Sequence, residues 1–391
     1  MDDLEPVSPF GRDGITQIPL TRRPLRPTVG RHHFPIRDLR AQPAADSTAL
    51  ERDIAWLDDL YRRDLPLREH SLFAVDDVLV LKGSVWHRGT PIAGTLPPKP
   101  AKKGDLVGRI AQKIERSGAR ARLYPGTTAI IHEAGYRNYY HWTVEIMPRL
   151  FSLRDAMREG RVTVDRIVLF DEETRHFVTE SLALLLPELA PLVEITAGEL
   201  TRFEHCLFFV DATETADYSD HVAHSSRLKA CSALLAEAVD ERLATEPFVP
   251  PGRAILISRA DAPKRRLIGE DRILDALAGL GLERVAFAPL GVAEQIALMS
   301  QARLVVGVHG AGLTNAIYCR PGTAVIEINS PDFIKRCRSF ADIAMHRQLN
   351  YGLVVADSVA VEGGEPDIAL DSERGMKGLR KLVRKLGGGE A

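Results

Sequence analysis

The chain has 391 residues, of which 45% are hydrophobic and 27% charged, with a formal net charge of -2. That length exceeds one ordinary core and implies two domains, and the near-neutral balance offers nucleic acid no basic face. Cys206, Cys231, Cys319 and Cys337 lack Cys-x-x-Cys spacing, so they point to neither a zinc site nor a disulfide framework and fit a reducing compartment. No secretory signal opens the chain and no uncharged apolar run reaches bilayer length, so a cytoplasmic location is expected.

Residues 1–48, rich in Pro, Arg and polar residues, read as an extended arm, and the apolar spacing of 49–61 suits a short helix. Residues 1–70 are thus an N-terminal extension. Alternation of Phe73, Val75, Val78 and Val80 before the turn Lys82-Gly83-Ser84 predicts a small antiparallel unit over 72–94. Residues 97–106 read as an exposed loop. From Gly126 the rhythm becomes β-α-β: strand 128–131, helix 139–159, strand 166–170, helix 174–186, strand 206–210 and a long amphipathic helix 225–244. Repeated proline over Pro247–Gly252 marks a domain boundary. Beyond it come strand 254–258, helix 269–279, strand 283–287, helix 292–300 and strand 304–308. Strands 324–328 and 353–356 follow, then a basic helix 375–386. Two α/β halves, 71–246 and 247–391, would then face each other across a cleft.

The densest chemical signal is residues 303–329. A buried strand runs into His309-Gly310-Ala311-Gly312 and then an apolar helix-like segment. Small residues let a ligand approach the main chain, and a helix start presents unpaired amides to an anion such as phosphate. Glu327, near the end of the next strand, could reach a ribose hydroxyl, because ligands of open parallel sheets sit at the strands' carboxyl ends. Buried between isoleucines, it needs some partner, a ligand hydroxyl or a basic side chain. His309 alone could equally be a structural histidine, and Asn315 a local helix hydrogen bonder. Arg259 after one strand and Lys264-Arg265-Arg266 in the same loop offer forked donors to phosphate, Arg259 and Arg266 above all, or form a solvated basic turn. Glu270 could cap the next helix or pair with one of these arginines.

His141, Glu145 and Arg149 recur every four residues along one helix face, with Pro148 expected to kink that helix. The His–Glu pair could serve as a general base or be an ion-pair ladder. Tyr139, Tyr140 and Trp142 suggest an aromatic platform beside it. The chain has no Asp-x-Asp triplet, no G-x-x-x-x-G-K-[ST] loop, no complete dinucleotide fingerprint and no G-x-S-x-G elbow.

Tyr140-His141-Trp142-x-x-Glu145-x-x-Pro148-Arg149, Ile257-Ser258-Arg259 with Arg266 and Glu270, Gly307-Val308-His309-Gly310-Ala311-Gly312-Leu313-x-Asn315 and Pro321-Gly322-x-x-Val325-Ile326-Glu327 occur in this order. Together, from about Gly126 to Ile328, they resemble glycosyltransferase family 61, whose bacterial members are often labelled capsular polysaccharide biosynthesis proteins. Family members often carry Asn-Glu where this chain has Gly269-Glu270. The resemblance implies a GT-B-like α/β fold of two Rossmann-like domains and inverting, metal-independent sugar transfer without a cofactor. The implied partners are a nucleotide-sugar donor and a glycan or lipid-linked glycan acceptor. The donor would meet Arg259, Arg266, His309, Gly310, Ala311, Gly312, Leu313, Asn315 and Glu327. Glu145, or after it His141, would be the base. The sheet pattern alone also permits an NAD-dependent dehydrogenase, and a non-catalytic homologue would keep the same fold. The basic tail from Lys377 to Lys385 could rest on an anionic membrane, peripheral at the inner face, or pack back on the first domain.

Overall fold

Uninterrupted apolar runs, the signature of strands covered on both faces, build the parallel strands at the centres of two sheets. The structure, a computed structural model, describes residues 6–20, 51–55, 70–95, 106–131, 137–170, 175–211, 221–245 and 249–387. The expected arm beyond residue 20, the loop at 97–105 and part of the proline-rich boundary lie outside these residues. Contacts group the described residues into two units, one of 6–20 with 70–231, the other of 51–55 with 232–387. The grouping changes within the helix His221–Leu243, ahead of the proline-rich stretch.

The first unit carries an eight-stranded mixed sheet. Its strands are β1 (Ile15–Ile18), β2 (His70–Leu81), β3 (Ser84–His87), β4 (Thr90–Pro91), β5 (Arg122–Ile131), β6 (Arg166–Phe170), β7 (Val193–Thr196) and β8 (Thr201–Asp211). They lie in the order β4-β3-β2-β8-β5-β6-β7, with β1 alongside β2. The alternating segment at 72–94 is antiparallel as expected, but it joins this sheet through β2 and β8 instead of standing alone. Phe73, Val75, Val78 and Val80 enter its core beside Phe203 and Phe208. Positive φ at Lys82 and Gly83, and again at Arg88 and Gly89, closes two tight hairpins whose twist suits the flanking strands. β5 to β8 run parallel, and the chain leaves β5 toward β6 and β7, then returns to β8 on the other side of β5. The helix Leu106–Ser117 was not expected. Its residues Val107, Ile110, Ala111 and Ile114, at helical spacing, pack with Leu81 and Trp86.

The second unit holds β9 (Arg253–Ser258), β10 (Leu267–Ile268), β11 (Leu282–Ala286), β12 (Ala302–Val308), β13 (Ala324–Asn329), β14 (Asn350–Val355), β15 (Asp357–Val359) and β16 (Asp367–Ala369). Five of these form an all-parallel sheet in the order β11-β9-β12-β13-β14. This is a doubly wound, Rossmann-like arrangement with its direction reversing between β9 and β12. β10, β16 and β15 make a separate small sheet. The segment after β12 is a 3-10 helix, Ala311–Tyr318, tighter than the α-helix the sequence suggests. The C-terminal helix Glu373–Lys385 packs within this unit: Leu379, Leu382 and Val383 are buried, and Leu382 fills the space that a side chain at Gly352 of β14 would need. Its Lys377, Lys381, Arg384 and Lys385 face solvent. Among the described residues no helix is long and apolar enough to cross a membrane.

All four cysteines are free and buried. Burial pushes the Cys319 thiol up to about 12 and raises Cys206 and Cys337 as well, Cys337 also under the nearby charges of Glu327 and Asp342. Thiolates are the reactive form, so a maleimide at neutral pH should leave all four unlabelled in the native protein and label all four after denaturation, read by intact mass. Rapid native labelling of any one would contradict this core.

Candidate functional site

The direction reversal of the second sheet brings the ends of β9 and β12 together, and both carry the expected residues. Ser258 ends β9. Its hydroxyl donates to Glu270 Oε2 at 2.9 Å, the backbone N–H of Arg259 donates to Glu270 Oε1 at 3.2 Å, and Arg284 Nε lies 3.1 Å from Oε2. Glu270 therefore locks the turn that launches Arg259. Gly269 before it has φ +103°, and a Cβ there would lie 2.4 Å from the Leu370 carbonyl oxygen, which accounts for glycine at this position.

The basic loop is positioned by the small sheet, and here the structure revises the choice of arginine. Arg266 begins the approach to β10: its N–H donates to Asp367 Oδ1 at 2.8 Å, its Nε donates to Asp367 Oδ2 at 3.0 Å, and its side chain is 52% exposed. Its charge is spent on stapling β10 to β16. Arg265, one residue earlier with φ +53°, turns the other way and is only 12% exposed. Its Nη1 donates to the His309 carbonyl at 3.4 Å, and its guanidinium lies over the Phe333 ring, 5.5 Å from the centroid. Arg336 covers the same ring at 5.1 Å. Arg259 donates to the carbonyls of Arg265 and Lys264, at 3.2 and 2.9 Å.

This corner concentrates positive charge. Burial and then the neighbouring charge of Arg265 lower the Arg259 pKa, and burial, partly offset by Glu365, lowers that of Arg265 with Arg336 adding to the shift. Glu365 is the local counter-ion, 3.1 Å from Arg265 Nε and 3.4 Å from Lys264 Nζ. Burial pushes its carboxyl up, but Arg265 and Lys264 together hold it below the usual range. Guanidiniums that repel each other while partly desolvated gain from any further anion.

His309 follows β12 and stacks on Phe333, 6.3 Å between ring centroids at 10°. Its Nδ1 lies 2.7 Å from Glu327 Oε1 on β13. Glu327 is 0% exposed; Asn329 Nδ2 donates to Oε1 at 2.8 Å and Tyr351 hydroxyl donates to Oε2 at 2.6 Å. The expected ribose contact of Glu327 is therefore corrected: a ligand hydroxyl cannot reach a carboxylate that is fully enclosed by three internal donors. Asn315 and Leu313 are likewise internal, Asn315 donating to Gln295 Oε1 at 2.8 Å and Leu313 packing where a Gly307 side chain would sit. Leu313 N–H to Gly310 carbonyl, 3.0 Å, is the first hydrogen bond of the 3-10 turn, and the amides of half-buried Ala311 and Gly312 precede it. Among the described residues no group of three metal-ligating side chains comes together.

In the first unit, the helix after β5 supplies the second set. Asn138 caps it by accepting from Tyr140 N–H at 2.8 Å. Trp142–Ile146 then form a π-helical turn before Met147–Arg158 returns to α. The wider turn places Pro148 in the opening turn of the following segment, where its missing N–H costs little, instead of kinking a continuous helix. His141 Nδ1 lies 2.9 Å from Glu145 Oε2; His141 is 35% exposed and Glu145 2%. Arg149 is buried. The surface-ladder alternative does not fit such burial. The aromatic platform is not formed: Trp142 is 0% exposed and donates to Ser181 Oγ at 2.7 Å, and Tyr140 is buried.

The glycines separate folding from ligand binding. A Cβ at Gly310 would lie 2.5 Å from Arg259 Nη1, the mobile end of a long side chain, whereas one at Gly312 would lie 3.0 Å from Ile257 Cγ2 in β9. Gly312→Ala is expected to cost about 1–3 kcal/mol in urea unfolding, and Gly310→Ala under about 1 kcal/mol while displacing Arg259. Equal destabilisation by both would contradict this division.

Residues 139–326 match the family model described as Glycosyltransferase 61, a span that begins at the His141 helix and ends within β13. Over 94 residues the chain is 33% identical to "Beta-1,2-xylosyltransferase RCN11" of Oryza sativa subsp. japonica, covering 22% of this chain and 17% of that protein. Over 135 residues it is 30% identical to "Beta-1,2-xylosyltransferase" of Arabidopsis thaliana, covering 31% of this chain and 23% of that protein. The chain thus aligns with less than a quarter of either relative's length. Over residues 139–326 it belongs to glycosyltransferase family 61.

Proposed function

We propose that this chain is an inverting, metal-independent glycosyltransferase of GT-B arrangement, its second unit taking a nucleotide-sugar and its first unit a glycan hydroxyl. The observation that carries this reading is the cluster of Arg259, Arg265 and Arg336 around His309 and Phe333 at the direction reversal of a parallel sheet. A departing nucleoside diphosphate develops negative charge there, and preorganised guanidiniums with the amides after Gly310 would stabilise it without a divalent ion. The names of the two plant relatives favour a pentosyl donor.

The acceptor side needs a base. Glu145 is enclosed and His141 reaches solvent, so the geometry reverses the order of candidates given by the sequence: His141 takes the proton and Glu145 orients it. With Nδ1–H donated to Glu145, the His141 Nε2 lone pair accepts the acceptor's hydroxyl proton. The freed oxygen attacks the anomeric carbon opposite the diphosphate, a new C–O bond forms, and the bond to the phosphate oxygen breaks. His141→Gln is expected to lower turnover by about a hundredfold or more, and Glu145→Gln by less. A larger loss from Glu145→Gln would return the base to Glu145.

Arg265 and Arg266 supply an internal control, being neighbours with different partners. Arg265→Ala should raise the donor KM and the nucleoside diphosphate Kd by about 10–100-fold, the usual effect of losing a charge-assisted hydrogen bond. Arg266→Ala should change stability more than affinity. Thermal shift with nucleoside diphosphates, with and without a chelator, reads both effects. Stabilisation by NAD but not by nucleoside diphosphates would favour a dehydrogenase, and binding without transfer across sugar nucleotides would favour a non-catalytic homologue. Stabilisation that disappears with chelator would overturn the metal-independent assignment.

A further inference from the structure

Besides the exposed His205–Asp76 pair, the described residues hold the pairs His141–Glu145 and His309–Glu327, which differ in burial. His141 meets solvent, but His309 is 6% exposed and its partner Glu327 is completely enclosed. An enclosed carboxylate is tolerated only when hydrogen-bonded, and Glu327 satisfies this through His309, Asn329 and Tyr351. The three donors come from the residue after β12, from the end of β13 and from the start of β14, so the carboxylate ties three neighbouring stretches of the sheet together. Gly307 of β12 pairs directly with Glu327, which brings the carboxylate to the Nδ1 edge of His309, two residues further on. The ring is fixed from its other sides by Phe333, stacked on it, and Phe340, edge-on at 5.2 Å. A carboxylate facing Nδ1 requires that nitrogen to carry its proton, which leaves Nε2 as the nitrogen able to meet a ligand.

We propose that Glu327 is a positioning residue, holding His309 with Nδ1 protonated so that Nε2 addresses the phosphate of the donor, while Tyr351 and Asn329 hold Glu327. This rests on the donor-site reading above and replaces a ribose contact with an indirect role. Glu327 touches no substrate and acts through the imidazole alone. Partners that fix the ring of a metal-binding histidine in this way change affinity by about 10–100-fold when removed, and a phosphate-binding histidine held in the same way should respond in the same direction.

Two measurements test it on the full chain. With nitrogen-15-labelled histidine, the His309 ring signals, assigned by their loss in His309→Ala, should show Nδ1 protonated in the ligand-free wild type. In Glu327→Gln that pattern should shift. Inorganic pyrophosphate affinity is then measured by calorimetry for wild type, Glu327→Gln, His309→Ala and the double variant. Glu327→Gln should weaken binding about tenfold in the wild-type background and less than about twofold in the His309→Ala background, since the two act as one unit. Equal losses in both backgrounds, or ring signals indifferent to Glu327→Gln, would overturn the positioning role. Should Glu327→Gln fail to fold, Tyr351→Phe removes one of the hydrogen bonds to Glu327 and should show a smaller loss with the same dependence on His309. A loss from Tyr351→Phe that persists without His309 also overturns the role. Wild type that binds neither pyrophosphate nor nucleoside diphosphates sinks the donor-site reading itself, whereas the ring signals need no ligand.

Discussion

A cluster of guanidiniums, with Arg259 and Arg265 partly buried, is held together in the second unit against its own repulsion. Arg259 and Arg265 are held close by hydrogen bonds from Arg259 to the carbonyls of Lys264 and Arg265, while Arg336, like Arg265, lies over the Phe333 ring. Nothing in elementary electrostatics favours this arrangement in isolation, because each charge loses hydration and gains a like neighbour. Glu365 and the ring faces offset it in part. The surrounding structure must impose the cluster, and three features do so. The short sheet of β10, β15 and β16 carries the loop, the Arg266–Asp367 staple fixes its end, and Glu270 braces the Arg259 turn from beneath. Local strain held in place by a rigid frame is the expected signature of a binding corner.

The His141–Glu145 and His309–Glu327 pairs make a useful comparison, since burial distinguishes them where chemistry does not. At His141 the carboxylate is buried and the imidazole partly exposed, a layout in which the ring can exchange a proton with an arriving hydroxyl. At His309 both partners are enclosed and the ring is clamped between aromatics. Such a ring suits a fixed contact better than proton traffic. The π-helical turn at Trp142–Ile146 belongs to the same contrast. It widens the helix under the first pair, and inserted turns of this kind are common where a side chain must be re-aimed.

Much of this is legible in the chain, and the failures have physical causes. Most parallel strands of both large sheets announce themselves as apolar runs because both faces are covered, and the βα rhythm follows from them, but β7, with Glu194 exposed, escapes. The helix Leu106–Ser117 escapes a sequence reading although Leu106, Val107, Ile110, Ala111 and Ile114 keep helical spacing; the lysine- and proline-rich stretch before it masks the signal. Sequence favours Arg266 over Arg265 because the choice depends on a left-handed backbone at Arg265 and on the register of β10 against β16. Neither leaves a local mark. The aromatic residues around His141 give a misleading cue, since Trp142 carries a buried indole whose N–H needs Ser181, a partner on another helix.

Glu327 shows most directly where reading a single segment stops. Its sequence neighbours, Ile326 and Ile328, state that it is buried and therefore must be satisfied. Which groups satisfy it depends on His309 from the preceding strand and Tyr351 from the following one, separated by 18 and 24 residues. Parallel pairing brings those positions side by side only after the whole sheet has formed. A ligand hydroxyl and a histidine make equally good partners for an isolated carboxylate, so composition cannot choose between them. Enclosure can: with every approach occupied by protein donors, the carboxylate's influence reaches the basic corner only through the one partner that also contacts that corner, its carbonyl accepting from Arg265. That partner is His309.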